Sequence, residues 1–289
     1  MAIPILVKTT IGDAADDWNV DRFSLLVAHL RSLQDAHGEL CYELFARNRV
    51  ESAAGDDVDL ERAATGAYAQ LWLIAADTVG ALTETDIENI NRFRRAGGGI
   101  LLTRDHKDLG ACLANLGALG ATQYFHSVNP DPEPSRRCRD DRGTPSISWP
   151  NFHSGANGDL QEITPVEPVH ALVRRPTGEV IQRLPAHPHE GAVGVPDSLG
   201  ESGRVVAQGR SISTGTAFNL CVALEEAGRG RAVSDSSFHH FCDFNWDPRR
   251  GCPSFVSETP GFEVLTSPRA LDDVHTYVEN IASWLSRQR

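Results

Sequence analysis

The feature that most constrains this chain is the alternation, through its first hundred residues, of short apolar runs with helix-length amphipathic stretches. Ile3 to Val7 is apolar and β-branched and ends in polar Lys8-Thr9-Thr10, which reads as a buried strand. Asp16 or Asp17 can cap a following helix, with Phe23, Leu26, Val27, Leu30 and Leu33 at helical spacing. Gly38 ends that helix, and Leu40 to Phe45 reads as the next strand; residues 51–66 are polar and small, a short helix or a loop. Leu71 to Ala76 is a second buried strand, Thr83-Glu84-Thr85-Asp86 opens a helix with Ile87, Ile90 and Phe93 on its apolar face, and Gly97-Gly98-Gly99 stops it before Ile100 to Thr103. Strands separated by helices of this length imply right-handed crossovers and a mostly parallel sheet. The glycine run precedes a strand instead of joining a strand to a helix, so it is a helix stop and not a phosphate loop.

The second half has a different grain. From about 121 to 200, prolines, glycines and short polar clusters such as Pro150 to Asp159 give no clear periodicity, and a stretch this long inside a domain usually carries function. Regular patterns resume at Arg204 to Ala207, Ala217 to Leu224 and Arg231 to Ser234. The sequence closes on a helix with Val274, Tyr277, Val278, Ile281, Trp284 and Leu285 on one face. The 289 residues, with 40% apolar and 23% charged, are therefore expected to form one α/β domain over 1–289, with 121–200 as a loop-rich insertion.

A formal charge of −12 leaves no electrostatic footprint for a phosphate backbone, which excludes nucleic acid as an expected partner. No stretch approaches the ~20 apolar residues of a membrane span, and the first residues lack a basic signal-peptide start. The expected location is cytoplasmic. Cys41, Cys112, Cys138, Cys221, Cys242 and Cys252 form no CxxC pair and read as reduced, mostly buried thiols.

Where a parallel sheet ends, ligands bind, so residues just after strands carry the chemistry. Arg104, Asp105 and His106 follow one strand, Asp77 another, and Asp235 to His240 a third. Asp105 can also be read as the N-cap of a helix beginning near Lys107, and His239 and His240, being adjacent, cannot both face one way along a strand. In the insertion, His187 and His189 sit two apart in Ala186 to Gly191 and could share one ion from an extended segment. Asn151 to Asp159 could bring short polar groups to a polar ligand, or could be a plain turn-rich loop.

The segments Leu71-Trp72-Leu73-Ile74, Leu82-Thr83-Glu84 and Ala96-Gly97-Gly98-Gly99-Ile100-Leu101-Leu102, with Gly230 to His240 and Ile281 to Leu285, resemble the ThuA-like (trehalose-utilisation) branch of the class I glutamine amidotransferase-like superfamily. The resemblance covers roughly residues 1–120 and 200–289. It implies a flavodoxin-like sheet with helices on both faces, a sugar-related ligand and a divalent metal. The amidotransferase nucleophile cysteine and its His-x-Glu partner have no counterpart here, so glutamine hydrolysis is not expected.

The expected function is a metal-assisted hydrolase or lyase acting on a small polar, carbohydrate-derived substrate. The alternative is a non-catalytic ligand- or partner-binding module on the same fold. The metal, zinc first, would be held by His106, His187, His189 and His239, with Asp105 and Asp243 as alternates or as groups behind the ligands. Asp105 and Glu190 would handle protons, while Arg104, His153 and Asn157 would contact substrate. Cys112 or Ser236 as a nucleophile is a third reading. A small-molecule substrate is the expected partner, and self-association into a homo-oligomer is left open.

Overall fold

The computed structural model describes residues 1–77, 80–137, 151–256 and 258–286. Cys138 and Pro150 lie outside them. Twelve strands are present among these residues: β1 Ile3–Thr9, β2 Tyr42–Arg47, β3 Gln70–Ile74, β4 Gly99–Thr103, β5 Gln123–Tyr124, β6 Leu160–Glu162, β7 Thr164–Pro165, β8 Arg183–Pro185, β9 Ala192–Val193, β10 Gly203–Arg210, β11 Ala217–Leu224 and β12 Ala232–Asp235. Eight form one sheet in the order β2-β1-β3-β4-β12-β11-β10-β7. The first five in that order are parallel to one another, while β11, β10 and β7 extend the sheet antiparallel. The order of the parallel part is that of flavodoxin-like sheets, as the alternation in the sequence predicts.

The helices are α1 Ser24–Ser32, α2 Val58–Ala64, α3 Glu84–Arg95, α4 Asp243–Trp246, α5 Glu263–Thr266 and α6 Pro268–Leu285. They cover the two faces of the sheet because successive strand residues point to opposite sides. Ile5, Val7, Trp72, Ile74, Leu101 and Val233 pack on one side with α1 and α6. Leu6, Leu71, Leu73, Ile100 and Leu102 pack on the other with α2 and α3. Strands β3 and β4 are buried at every position, which is why they appear as unbroken apolar runs.

Local chemistry sets the element ends. Thr83 and Asp86 form a reciprocal capping box at the start of α3. Gly97 adopts φ +94° just past that helix, and the Gly97 and Gly98 amides bond back to the Arg94 and Phe93 carbonyls, closing its last turn. No helix begins near Lys107. That residue takes φ +55° and its carbonyl accepts from Arg104 Nη2 at 2.6 Å, so the loop turns away and Asp105 is not a helix cap. The next regular turn is the 3₁₀ segment Ala111–Asn115.

The 121–200 stretch is an excursion between β4 and the antiparallel strands. It contributes β7 to the edge of the sheet and two small two-stranded sheets, β5 with β9 and β6 with β8. It then folds back over the carboxyl ends of the parallel strands, where the Gly191 amide donates to the Ser236 carbonyl and the Ser154 amide to the His187 carbonyl. None of the helices described is long and apolar enough to cross a membrane.

Candidate metal centre

Three segments distant in sequence meet at the carboxyl ends of β4 and β12. The loop after β4 supplies Asp105 and His106, the excursion supplies His187 and His189, and the 3₁₀ turn Phe238–His240 after β12 supplies His239. One ligand atom from each of Asp105, His187 and His239 lies within 4.8 Å of the other two, and all three side chains are buried. His187 Nδ1 is 3.6 Å from Asp105 Oδ1, and His239 Nε2 is 3.7 Å from Asp105 Oδ2. His106 Nδ1 approaches Asp105 Oδ2 at 3.1 Å from the more exposed side, and its ring centroid is 4.9 Å from that of His189.

Electrostatics favour the ligand form of two of the three groups, Asp105 and His187. Burial alone would raise the Asp105 pKa, but the His106, His187 and His239 rings around it hold the carboxyl well below its usual range. Burial, then the neighbouring His239, pushes His187 well below the ordinary imidazole value, so it stays neutral. A carboxylate beside a neutral imidazole is the ligand form that a divalent ion takes up. Asp105 Oδ1 and His239 Nε2 are buried and make no hydrogen bond among the described residues, although such atoms are costly to leave unpaired. The donor set therefore suits a metal. The His187 and His239 rings lie stacked, with centroids 3.4 Å apart and planes 18° from parallel. Sharing one ion in both ring planes requires one imidazole to turn, and His239 is fixed by Asn245 Oδ1 at 2.8 Å.

His239 and His240 point apart, as adjacency demands. His240 is fully buried with Nδ1 2.7 Å from Asp235 and Nε2 3.4 Å from Glu190. Burial opposes a charge there, yet the two carboxylates push its pKa up to about 10. The Gln161 amide nitrogen, 3.0 Å from His240 Nε2, would favour a bare nitrogen; two flanking carboxylates outweigh it. Tyr277 donates to the other Asp235 oxygen at 2.7 Å.

Five residues offered by the sequence for the reacting centre are placed elsewhere or engaged in other contacts. Glu190 is fully buried and its oxygens accept from Gln161 and Ser236 while facing His240, so it braces the fold. The Arg104 side chain is fully buried and stacks on Phe125 with 4.1 Å from guanidinium carbon to ring centroid; burial lowers its pKa to about 9. It is not among the residues lining the pocket described below. Asp243 is held at the start of α1 by Ser24 and the Leu25 amide. Cys112 is buried, and burial followed by nearby Asp77 pushes its thiol well above the ordinary value, which makes it inert. Ser236 donates to Glu190.

The trio opens into a pocket of about 490 Å³ that is also lined by His106, His153, Asn157, His189 and Trp18. Trp18, whose ring centroid is 5.1 Å from that of His239, does not stand out in the sequence. Nor do Gly251 to Pro253, Phe255, Val256 and Glu258 to Pro260, which form part of the wall. Neither carries a chemical signature; only proximity in the fold reveals them.

No family model matches the chain, and no curated protein is significantly similar to it. Among solved structures it is similar to the mmIFT52 N-terminal domain, with a TM-score of 0.57 and 13% identity over 98% of both chains. It also aligns with the glutaminase domain of Trypanosoma brucei CTPS with bound acivicin, at TM-score 0.47 and 12% identity over 100% of this chain and 96% of that one. A GMP synthase component from Thermoplasma acidophilum aligns at TM-score 0.42 and 10% identity, over 98% of this chain and 96% of that one. At these identities the likeness is one of fold, and chemistry has to be argued from the site.

Proposed function

We propose that this chain is a metal-assisted hydrolase or lyase of a small molecule, with a divalent ion, zinc first, held by Asp105, His187 and His239. The observation that carries the reading is the convergence of those three buried ligand atoms within 4.8 Å of one another, two of the buried atoms being otherwise unpaired. Two imidazoles and one carboxylate are a donor set used by hydrolytic zinc sites with an open coordination position. An ion there would supply Lewis acidity and lower the pKa of a bound water towards neutrality.

The chain's own groups divide the remaining work. His106 lines the pocket with Nδ1 3.1 Å from Asp105 Oδ2, so the carboxylate orients its ring and Nε2 is the atom placed to exchange a proton with substrate. His153 and Asn157 line the same pocket and orient the substrate. Asn245 holds His239, and the buried His240 pair with Asp235 and Glu190 fastens the excursion behind it.

The test is metal analysis of protein purified without affinity tag or chelator, followed by Co²⁺ titration read by visible absorption. About one equivalent of zinc or cobalt is expected, lost in His187→Ala and His239→Ala. Absence of stoichiometric metal, or uptake unchanged in both variants, overturns the proposal. Stoichiometric iron in place of zinc overturns its hydrolytic half.

A further inference from the structure

We infer that the substrate of this pocket is a molecule without negative charge that carries a flat apolar ring beside its metal-binding head. This rests on the metal-site reading, and it is argued from the walls away from the ligand cluster. Those walls are formed by Trp18, Leu109, Phe244, Phe255, Val256 and Pro260. The apolar surface begins directly at the cluster, since the Trp18 ring meets His239 edge-on at 5.1 Å and then Phe244 and Phe255, each at 6.4 Å. Phe255 stays 69% exposed although an aromatic partner lies beside it. A large exposed aromatic on a concave wall is apolar surface that a ligand ring would cover, stacking or meeting it edge to face.

Charge narrows the class further. Among the described residues lining the pocket there is no lysine or arginine, and the only carboxylate besides Asp105 is Glu258. A phosphate or carboxylate on the substrate would find no guanidinium or ammonium partner on the apolar side and would meet a like charge there. Away from the histidines and Asp105, the side chains that can hydrogen-bond well are Asn157, Glu258, Thr259 and, through its indole N–H alone, Trp18. A polyhydroxylated sugar buried here would leave hydroxyls unpaired, at a cost that an apolar ring does not incur. An uncharged compound with an aryl or similarly apolar group fits these walls better than the carbohydrate-derived substrate that the family resemblance implies.

Three hydroxamates with one common head and different tails test this by calorimetric titration of the full chain. Benzohydroxamate is expected to bind roughly tenfold or more tighter than acetohydroxamate, the worth of partly burying a phenyl ring. A para-carboxylate on that ring is expected to abolish the gain, and Phe255→Ala to reduce it several-fold with metal content unchanged. Equal affinity for the phenyl and methyl compounds, a preference for the carboxylated one, or no binding of any of them overturns the inference. Metal content measured on the same samples separates the two proposals. Metal-free protein that still prefers benzohydroxamate sinks the metal reading and the metal-binding head with it, and keeps the uncharged apolar ring, whereas metal-loaded protein without that preference does the reverse.

Discussion

The Asn245 amide donates through Nδ2 to the Ala186 carbonyl at 3.1 Å and to Asn157 Oδ1 at 3.2 Å, which fixes its orientation. Its Oδ1 must then accept from His239 Nδ1, and the proton on that nitrogen leaves the Nε2 lone pair free for a ligand on the Asp105 side. Asn245→Ala removes the device without touching a ligand atom. The expected outcome is metal affinity weakened ~10–100-fold with the fold retained, measured by competition against a chromophoric chelator. At this scale the sequence marks side chains by their chemistry: Asp105, His106, His187, His189 and His239 stand out because few side chains bind metals well. Asn245 and Trp18 do not stand out, because their value comes wholly from what lies 3–5 Å away in space. Glu190 misleads for the same reason. A carboxylate among histidines suggests a base, yet a fixed His240 beside it makes it a brace.

Helices α1 and α6 meet through a pair of imidazoles. His29 and His275 stack with ring centroids 3.9 Å apart, Trp246 lies across them, and Glu279 accepts from His29 at 2.9 Å. Burial first, and the facing His29 second, lower the His275 pKa to about 4, with Glu279 and Asp272 pulling weakly the other way. The folded state therefore keeps His275 neutral where an unfolded chain, titrating near ~6.5, would take a proton. Its contribution to stability is whole above about pH 6.5 and is lost as pH falls towards about 4. His275→Phe is expected to shrink the fall in urea midpoint between pH 7 and pH 4.5 relative to the parent chain. An unchanged difference between parent and variant refutes this. Elements of this kind are largely legible in sequence, α6 by its apolar face and β3 and β4 by their unbroken runs. The absent helix after Asp105 is not, because the bond from Arg104 to the Lys107 carbonyl turns the chain, and propensity carries no record of it.

For the whole molecule the decisive junction is Gly191, where the excursion crosses the ends of β4 and β12. A Cβ there would sit 2.6 Å from the Ser236 carbonyl and 2.8 Å from that of Asp105, with the Arg104 guanidinium closer still. Gly191→Ala must displace one of these loops. It is expected to destabilise the chain by about 1–3 kcal/mol by denaturant unfolding and to weaken metal binding in step, since two ligand-bearing segments move apart. Strands β1 to β4 can be read from the sequence because each crossover between them is local. The parallel docking of β12 on β4, the pairing of β7 with β10 and the return of 121–200 over the sheet cannot, because they join residues distant in sequence that advertise no partner. The trio at the sheet edge has a consequence for how the molecule behaves as a thermodynamic unit. Its ligands lie before, within and after the excursion, so no fragment lacking one of those parts can assemble it. An ion bound to all three is a cross-link between chain segments 52 to 134 residues apart. By mass action it would favour the complete native state over every partly open one, so metal supply would act as a dial on the lifetime of the whole chain.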